Sequence, residues 1–362
     1  MREVIQLIED LIRFQTVHSD LAQIHACADF IEGYLQQAKI AVTREQHGDY
    51  PYLLVLPDGD YAPVLLMSHL DVVDGDAELF EPRIEGNRLY GRGSIDDKYA
   101  VALSLVLLRQ FVERNRRLGQ EASRVPFGIL ITSDEEIGGK QGALEALKTL
   151  QTDFCIALDG GNLHKIVVKE KGILHLRLIA TGTSAHAARP WRGENAIENL
   201  IQDYLKLKPY FELTAPDHWH RTMNFSRFQA GRSTNQVPDR AEAFFDIRYT
   251  ENDDIDTLVA QMQASVDGKL IVEKKEPLFI GGQSPYLDLL LQTCPETRTG
   301  SEHGASDARH LSKFGIPGIV WGAEGEMSQH TAGEYILIDS VEALYHKLSA
   351  FMTRVQDTLS AD

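Results

Sequence analysis

Short apolar segments, bounded by turn or acidic residues and alternating with helical segments, restrict the fold of this sequence more than any other feature. The candidate strands cover residues 52–56, 64–67, 127–131 and 154–158. A long helix is predicted from about residue 97 to 116, with Asp96 or Asp97 as its cap. This alternation predicts an α/β fold with a mostly parallel sheet and flanking helices. Because ligands bind beyond the carboxyl ends of such strands, the acidic clusters that follow these segments are expected to form one shared site.

Between about residues 172 and 279 the pattern changes. The predicted elements there are strands over 172–182, 222–230, 241–250 and 270–274 and helices over 194–208 and 255–266. Their order is the β-α-β-β-α-β order of a ferredoxin-like α+β unit. After residue 279, strands and helices alternate again, with a helix predicted over 307–314, a strand over 318–321 and a helix over 340–359. The sequence therefore predicts a main domain of residues 1–171 and 280–362, interrupted by an inserted domain of residues 172–279.

Composition and charge argue against several classes of protein. The 362 residues carry a net charge of −17, whereas nucleic-acid binding needs clustered lysine and arginine. No apolar segment reaches the length of about 20 residues that crosses a bilayer, and acidic residues interrupt the N-terminal apolar stretch that a signal peptide would need. Cys27, Cys155 and Cys294 are far apart, which is typical of reduced core residues. We therefore expect a cytoplasmic protein with no nucleic-acid or membrane partner.

The first two clusters combine a histidine with carboxylates. His69 and Asp71 lie two residues apart on one face at the end of a predicted strand, as a metal ligand and the carboxylate that orients its imidazole would. A hydrogen-bonded structural pair is the alternative. Asp96 and Asp97 follow a Gly-Arg-Gly turn, where one carboxylate could bridge two cations about 3.5–4 Å apart. An aspartate at a helix start is also an ordinary N-cap.

Further candidates follow later in the chain. Glu135 and Glu136 lie directly after the segment 127–131, and neighbouring side chains point in different directions, so one can bind metal while the other acts as a general base. A solvated acidic loop is the alternative. Asp159 follows the segment 154–158, and His330 lies near the C-terminus. Together with the first clusters they supply nitrogen and oxygen donors without a thiolate, a set that suits zinc, with manganese and cobalt as substitutes.

These clusters, in this order and spacing, resemble the family of dinuclear zinc metallopeptidases and deacylases that includes aminoacylase, acetylornithine deacetylase, succinyl-diaminopimelate desuccinylase and the glutamate-releasing carboxypeptidases. The resemblance extends over nearly the whole chain, including the inserted domain. It implies that one metal ion is held by His69, Asp96 and Asp159. It implies a second ion held by Asp96, Glu136 and His330, so that Asp96 bridges the two ions.

The resemblance also implies roles for neighbouring residues. Asp71 would orient the histidine that precedes it, and Glu135 would be the general base that takes a proton from the attacking water. The peptide bond between Asp96 and Asp97 is expected to be cis. The chain departs from the family at Tyr99, where a glycine often follows the Asp-Asp-Lys motif, and in a shorter loop over residues 74–81.

Three residues of the inserted domain match family segments as well. His186 lies in segment 182–190, which resembles the segment whose histidine reaches into the active site of a partner subunit and stabilises the oxyanion. Asn235 and Arg248 lie in Asn-Gln-Val-Pro and Asp-Ile-Arg segments that resemble substrate-binding segments, and Arg248 could clamp a substrate carboxylate. An ordinary ion pair within the strand is the alternative for Arg248. The resemblance thus implies a zinc-peptidase-like catalytic domain and a homodimer formed through the inserted lid domain.

The function that the resemblance implies is hydrolysis of an amide bond with the help of two divalent metal ions. The substrate would be a small peptide, cleaved by an exopeptidase or dipeptidase, or an N-acyl amino acid, cleaved by a deacylase. Asp159 favours the peptidase, because the family's deacylases and carboxypeptidases tend to carry glutamate there. A catalytically silent metal-binding protein is disfavoured by the presence of Glu135. A nucleotide-dependent oxidoreductase is disfavoured because no Gly-x-Gly-x-x-Gly motif follows the first strand.

Overall fold

The computed structural model describes residues 1–57, 59–120 and 124–360. The chain divides into two compact units, which are called here the large unit and the small unit. The large unit contains residues up to 169, residues 280–302 and residues from 306 onward. The small unit contains residues 170–279 and 303–305.

Helices and strands are numbered along the described part of the chain. The α-helices are α1 (Arg2–Ile12), α2 (Leu21–Gln37), α3 (Lys98–Arg117), α4 (Ala143–Ala146), α5 (Ala196–Leu207), α6 (Ile255–Ser265), α7 (Pro285–Thr293) and α8 (Ile338–Leu359). The strands are β1 (Thr43–His47), β2 (Tyr50–Val55), β3 (Tyr61–His69), β4 (Arg83–Glu85), β5 (Arg88–Tyr90), β6 (Phe127–Thr132), β7 (Gln151–Ala157), β8 (Lys165–Glu170), β9 (Gly172–Thr181), β10 (Thr222–Ala230), β11 (Arg240–Tyr249), β12 (Lys269–Glu276), β13 (Phe279–Ile280), β14 (Arg298–Glu302), β15 (Gly318–Val320) and β16 (Tyr335–Leu337).

The large unit is built on a sheet whose central strands are parallel. The strand order is β1-β2-β6-β3-β7-β15-β8-β13, and β14 pairs with β8. Strands β6, β3, β7 and β15 pair in parallel, whereas β1 pairs antiparallel with β2, β2 with β6 and β8 with β15. All six residues of β6 are buried, as expected for a strand covered on both faces. The predicted α/β fold is confirmed, and the predicted strand over 52–56 corresponds to the antiparallel β2.

Helix α3 packs against these strands and is buried on most of its surface. Fourteen of its 20 residues are buried, because small and apolar side chains surround its first three turns. Asp97 occupies the N-cap position, but within the described chain its carboxylate caps no helical N–H and instead accepts a hydrogen bond from the His69 N–H at 3.3 Å. Burial raises the pKa of Asp97 well above its usual range. The predicted position of the cap is therefore confirmed at Asp97, but its carboxylate bonds to the end of β3 and not to the helix.

The small unit is an antiparallel sheet with helices α5 and α6 packed against it. The strand order is β10-β11-β9-β12. Leu174, Leu176 and Leu178 of β9 are buried in a cluster with Leu200 of α5 and Met262 of α6, and the residues between them on β9 are half-buried. This alternation is typical of a sheet with one covered face. The predicted β-α-β-β-α-β order is confirmed.

The large unit also contains a second, smaller sheet. Strands β16, β5 and β4 form a separate sheet that the sequence did not predict, because three-residue strands are too short for a periodic pattern. The predicted helix over 307–314 is a 3₁₀ helix. Cys27, Cys155 and Cys294 are buried free thiols, as predicted. Among the helices of the described residues, each is too short or too polar to cross a membrane.

Candidate metal centre

The candidate site lies where three parallel strands end side by side. Strand β3 lies between β6 and β7, and His69 is its last residue. Glu135 and Glu136 follow β6 in a short 3₁₀ turn, and Asp159 follows β7. Because the carboxyl ends of neighbouring parallel strands lie at one edge of the sheet, the fold brings these four residues to the same place.

Two loops outside the sheet supply further residues. Asp96 lies in the turn before α3, and His330 lies in the loop between β15 and β16. The structure brings the five predicted ligands together in two groups that share Asp96. In each group, one nitrogen or oxygen atom from every residue lies within 4.8 Å of the others. The groups are His69, Asp96 and Asp159, and Asp96, Glu136 and His330.

Asp96 faces a different histidine with each carboxylate oxygen. Oδ1 lies 2.9 Å from Nε2 of His69, and Oδ2 lies 3.0 Å from Nε2 of His330. Oδ2 of Asp159 lies 3.9 Å from Nε2 of His69, and Oε1 of Glu136 lies 3.2 Å from Nε2 of His330. The His69 side chain is 2% exposed and that of His330 is 51% exposed. Asp96 therefore lies between a buried and an accessible imidazole, where a bridging carboxylate would have to be.

The chemistry of this set fits divalent cations. It combines imidazole nitrogen and carboxylate oxygen donors without a thiolate. Hydrogen bonds to Asp96 and Glu136 raise the pKa of His330 to about 10. Against the effect of burial, hydrogen bonds from His330 and His69 lower the pKa of Asp96. Carboxylates that stabilise positive charge on the imidazoles in this way would attract a metal cation by the same interaction.

Asp71 is buried beside His69. Nδ1 of His69 lies 3.0 Å from the main-chain carbonyl of Asp71 and 3.4 Å from its Oδ1. Oδ2 of Asp71 accepts a hydrogen bond from the Glu136 N–H at 3.0 Å and lies 3.1 Å from Nε2 of His18. Asp71 thus connects the end of β3 to the turn that carries Glu136. No local motif links His18 to this site, so the sequence alone does not reveal this contact.

Glu135 precedes Glu136 in the turn after β6, and its side chain is 11% exposed. Burial and the nearby Asp307 raise the pKa of Glu135 well above its usual range, and the Arg309 guanidinium opposes this shift. Nη1 of Arg309 lies 3.2 Å from Oε1 of Glu135 and donates to the Ser306 carbonyl at 2.9 Å. The sequence gives no sign of this contact, because Arg309 and Glu135 lie 174 residues apart in the chain.

Two features around α3 bear on the same site. The Asp96–Asp97 peptide bond is cis, as predicted. Tyr99, at which the chain departs from the family, is buried. Its hydroxyl donates to the Leu158 carbonyl and accepts a hydrogen bond from the Ala323 N–H at 3.1 Å. Tyr99 therefore anchors the residue that directly precedes Asp159.

His186, Asn235 and Arg248 lie in the small unit. His186 is exposed, and its Nδ1 accepts a hydrogen bond from the Ala188 N–H at 3.1 Å. The Asn235 carbonyl accepts a hydrogen bond at 2.9 Å from the residue after His186, so these two segments are neighbours. Nε and Nη2 of Arg248 lie 2.8 and 3.1 Å from the two carboxylate oxygens of Asp246. This bidentate contact is the ion pair within the strand that was the alternative for Arg248.

Several known proteins are similar to this chain in sequence and fold. The family described as peptidase family M20/M25/M40 matches residues 65–354. The succinyl-diaminopimelate desuccinylase of Marinobacter nauticus is 26% identical over 355 residues, which cover 88% of this chain and 89% of that protein. A LysW-lysine/LysW-ornithine hydrolase of Sulfurisphaera tokodaii is 26% identical, with coverage of 92% and 91%. The structure of an M20 family metallo-carboxypeptidase from Sulfolobus solfataricus matches with a TM-score of 0.80 at 18% identity, over 98% of this chain and 100% of that one.

Proposed function

Because the chain belongs to peptidase family M20/M25/M40 and is a hydrolase that acts on amide bonds, we propose that it cleaves small peptides as an exopeptidase or dipeptidase with two divalent metal ions per subunit. One observation carries this proposal: a single carboxylate, Asp96, lies between two histidines in two groups of possible ligands. Family membership and this site together indicate binding of divalent metal. Zinc is the ion that the donor set favours, and manganese and cobalt are the alternatives.

The two groups define the proposed ligand assignment. His69, Asp96 and Asp159 would hold the first ion, and Asp96, Glu136 and His330 would hold the second. Bound ions supply Lewis acidity, which polarises the scissile carbonyl and makes water easier to deprotonate. Asp71 would fix the orientation of His69, as a carboxylate or carbonyl behind a metal-binding histidine commonly does.

Glu135 is the proposed general base and general acid. Its carboxylate would take a proton from the attacking water and deliver that proton to the amine of the leaving group. Its buried position favours this cycle, because a carboxylate with a raised pKa binds the transferred proton more firmly than an exposed one. The contact with Arg309 at 3.2 Å restricts the orientation of the carboxylate.

The small unit is the proposed lid and dimerisation domain. His186 would stabilise the oxyanion at the active site of the partner subunit in a homodimer. Asn235 and Arg248 would contact the substrate, with Arg248 bound to its free carboxylate. An interface on this unit is supported by β10, an edge strand on which Phe228 is 43% exposed.

Replacing His186 with alanine is expected to lower kcat by about 100-fold with a smaller change in KM, because the imidazole would act on charge that develops in the transition state. Steady-state kinetics on the best substrate measure both constants. His346→Ala is the matched control, since this histidine on α8 is 70% exposed and has no proposed role. Light scattering should show dimers for the wild-type chain and for both variants. An unchanged kcat, or a fully active monomer, would contradict the role given to His186.

The proposed function is tested by a panel of dipeptides, N-acetyl amino acids and N-succinyl amino acids, assayed with zinc, manganese or cobalt. We expect the dipeptides to be hydrolysed with the highest kcat/KM. An N-acyl amino acid deacylase is the second candidate, and the relative named succinyl-diaminopimelate desuccinylase favours it. A higher kcat/KM for N-acyl substrates would replace the peptidase with this deacylase. Absence of hydrolysis with every ion would contradict both.

A further inference from the structure

Two loops carry ligands of the proposed metal site, and local preference alone does not explain the conformation of the one that carries His330. His330 and the nearby Glu326 and Met327 have positive φ angles of 62°, 50° and 58°. Residues other than glycine disfavour positive φ angles, so contacts with surrounding residues must impose this backbone conformation. In the turn before Asp96, Gly93 has a φ of 82°, which glycine adopts readily, and a Cβ there would lie 2.8 Å from Cγ1 of the buried Val72. Contacts with the rest of the large unit must therefore hold the loop that carries His330, and the turn before Asp96 packs closely against the interior.

Glu334 makes such contacts with the turn that presents Asp96. It directly follows the loop of residues 325–333 and is 2% exposed. Its Oε1 accepts hydrogen bonds from the Gly93 N–H at 2.9 Å and the Ile95 N–H at 3.3 Å. Its main-chain carbonyl accepts a hydrogen bond from the Gly91 N–H at 3.0 Å. One residue thus holds three N–H groups of the turn.

Arg92 connects the same turn back to the loop that carries His330. Its guanidinium forms an ion pair with Glu334, and Nη1 also donates to the carbonyl of Thr331 at 3.4 Å. The two paired side chains are 4% and 1% exposed. Removing one partner of a buried ion pair leaves an unpaired buried charge, which is far more disruptive than removing both. Arg92 and Glu334 together therefore form a cross-link between the two ligand-bearing loops.

We propose that Glu334, acting through Arg92, is a positioning residue that sets the spacing between Asp96 and His330 and thereby the affinity of the second metal ion. The inference rests on the proposed dinuclear function. The second ion depends on the cross-link more than the first, because two of its three ligands come from the cross-linked loops. The first ion takes His69 and Asp159 from the ends of sheet strands, which the cross-link does not touch.

Glu334→Gln tests the proposal, because glutamine keeps the shape of the side chain and removes its charge. Zinc is titrated by calorimetry into the chelator-treated chain, and His330→Ala identifies which binding step belongs to the second ion. The wild-type chain should bind two ions. In Glu334→Gln the second ion should bind about 10–100-fold more weakly, the range found for residues that orient metal ligands. The first affinity should fall clearly less, because only one of its three ligands, Asp96, lies on a cross-linked loop.

Two further variants control for loss of stability. Asp253→Asn is the matched control in the small unit, because Asp253 also pairs with an arginine, Arg221 at 2.7 Å, and accepts a main-chain hydrogen bond from Thr250 at 2.9 Å. It should change neither zinc affinity. The double variant Arg92→Met, Glu334→Gln removes both charges and covers the case in which the single variant does not fold. Its second ion should still bind weakly.

The outcomes separate this inference from the proposed function. Wild-type affinity for the second ion in the folded variants would overturn the positioning role and leave the proposed function intact. An equal loss of both affinities would also overturn it, since that result indicates a general structural role. A wild-type chain that binds fewer than two ions would overturn the proposed dinuclear function itself.

Discussion

Replacing Glu135 with glutamine is expected to lower kcat by about 10²–10⁴-fold, the contribution usual for a general base, while the chain keeps two bound metal ions. Glutamine preserves the size of the side chain and can still accept a hydrogen bond from Arg309, but it cannot take up a proton. Steady-state kinetics give kcat, and elemental analysis of the purified protein gives the metal content. The combination of intact metal binding and lost turnover is specific to a proton-transfer role.

A control on the same unit separates this effect from the loss of any acidic group. Glu145, which pairs with Lys148 at 2.6 Å on the surface, is changed to glutamine in the same way. Glu145→Gln should leave both kcat and metal content at the wild-type level, because its carboxylate has no place in the proposed site. Loss of a general base usually lowers kcat by about 10²–10⁴-fold. If Glu135→Gln lowered kcat by only about tenfold or less, the role of Glu135 would be refuted.

The parts of the fold that the sequence predicts well are those whose burial pattern is continuous or regular over several residues. Strands β3 and β6 are covered on both faces, so their residues form continuous apolar runs that can be recognised without the structure. The same runs locate His69 and Glu136, because His69 is the last residue of β3 and Glu136 follows the end of β6. Strand β2 pairs antiparallel with β6 but also has an apolar run, because burial and not strand direction determines this sequence pattern.

The parts that the sequence does not predict depend on contacts between distant segments. Arg309 touches Glu135, and Arg92 pairs with Glu334, across large separations in the chain. Neither contact leaves a periodic signal, because each joins two single side chains and not a regularly spaced row of residues. Asp97 shows the opposite case. Its local sequence indicates a helix cap, yet the hydrogen bond from the His69 N–H takes its carboxylate. Tertiary packing therefore decided the role of this residue against its local preference.

Replacing Asp96 with asparagine is expected to weaken the binding of both metal ions by more than about 100-fold, which exceeds the effect of residues that merely orient ligands. The reason is geometric: Oδ1 and Oδ2 of Asp96 face different histidines, so one substitution alters both groups of ligands. Hydrolysis should fall to the background rate. Calorimetric titration with zinc measures the two affinities, and circular dichroism verifies that the variant is folded.

The comparison with other single substitutions makes this result informative. Asp159→Asn and His330→Ala each belong to one group and should each weaken one ion strongly, whereas Asp96→Asn should weaken both. Asp97→Asn is the matched control, because an asparagine oxygen can still accept the hydrogen bond from the His69 N–H, and both ions should remain bound. If Asp96→Asn lost only one ion, Asp96 would be a terminal ligand, and the dinuclear assignment would need a different bridging group. If Asp97→Asn lost both ions, the Asp97 carboxylate would itself take part in metal binding. Its contact with the His69 N–H could explain the loss of only one ion, because His69 belongs to only one group of ligands.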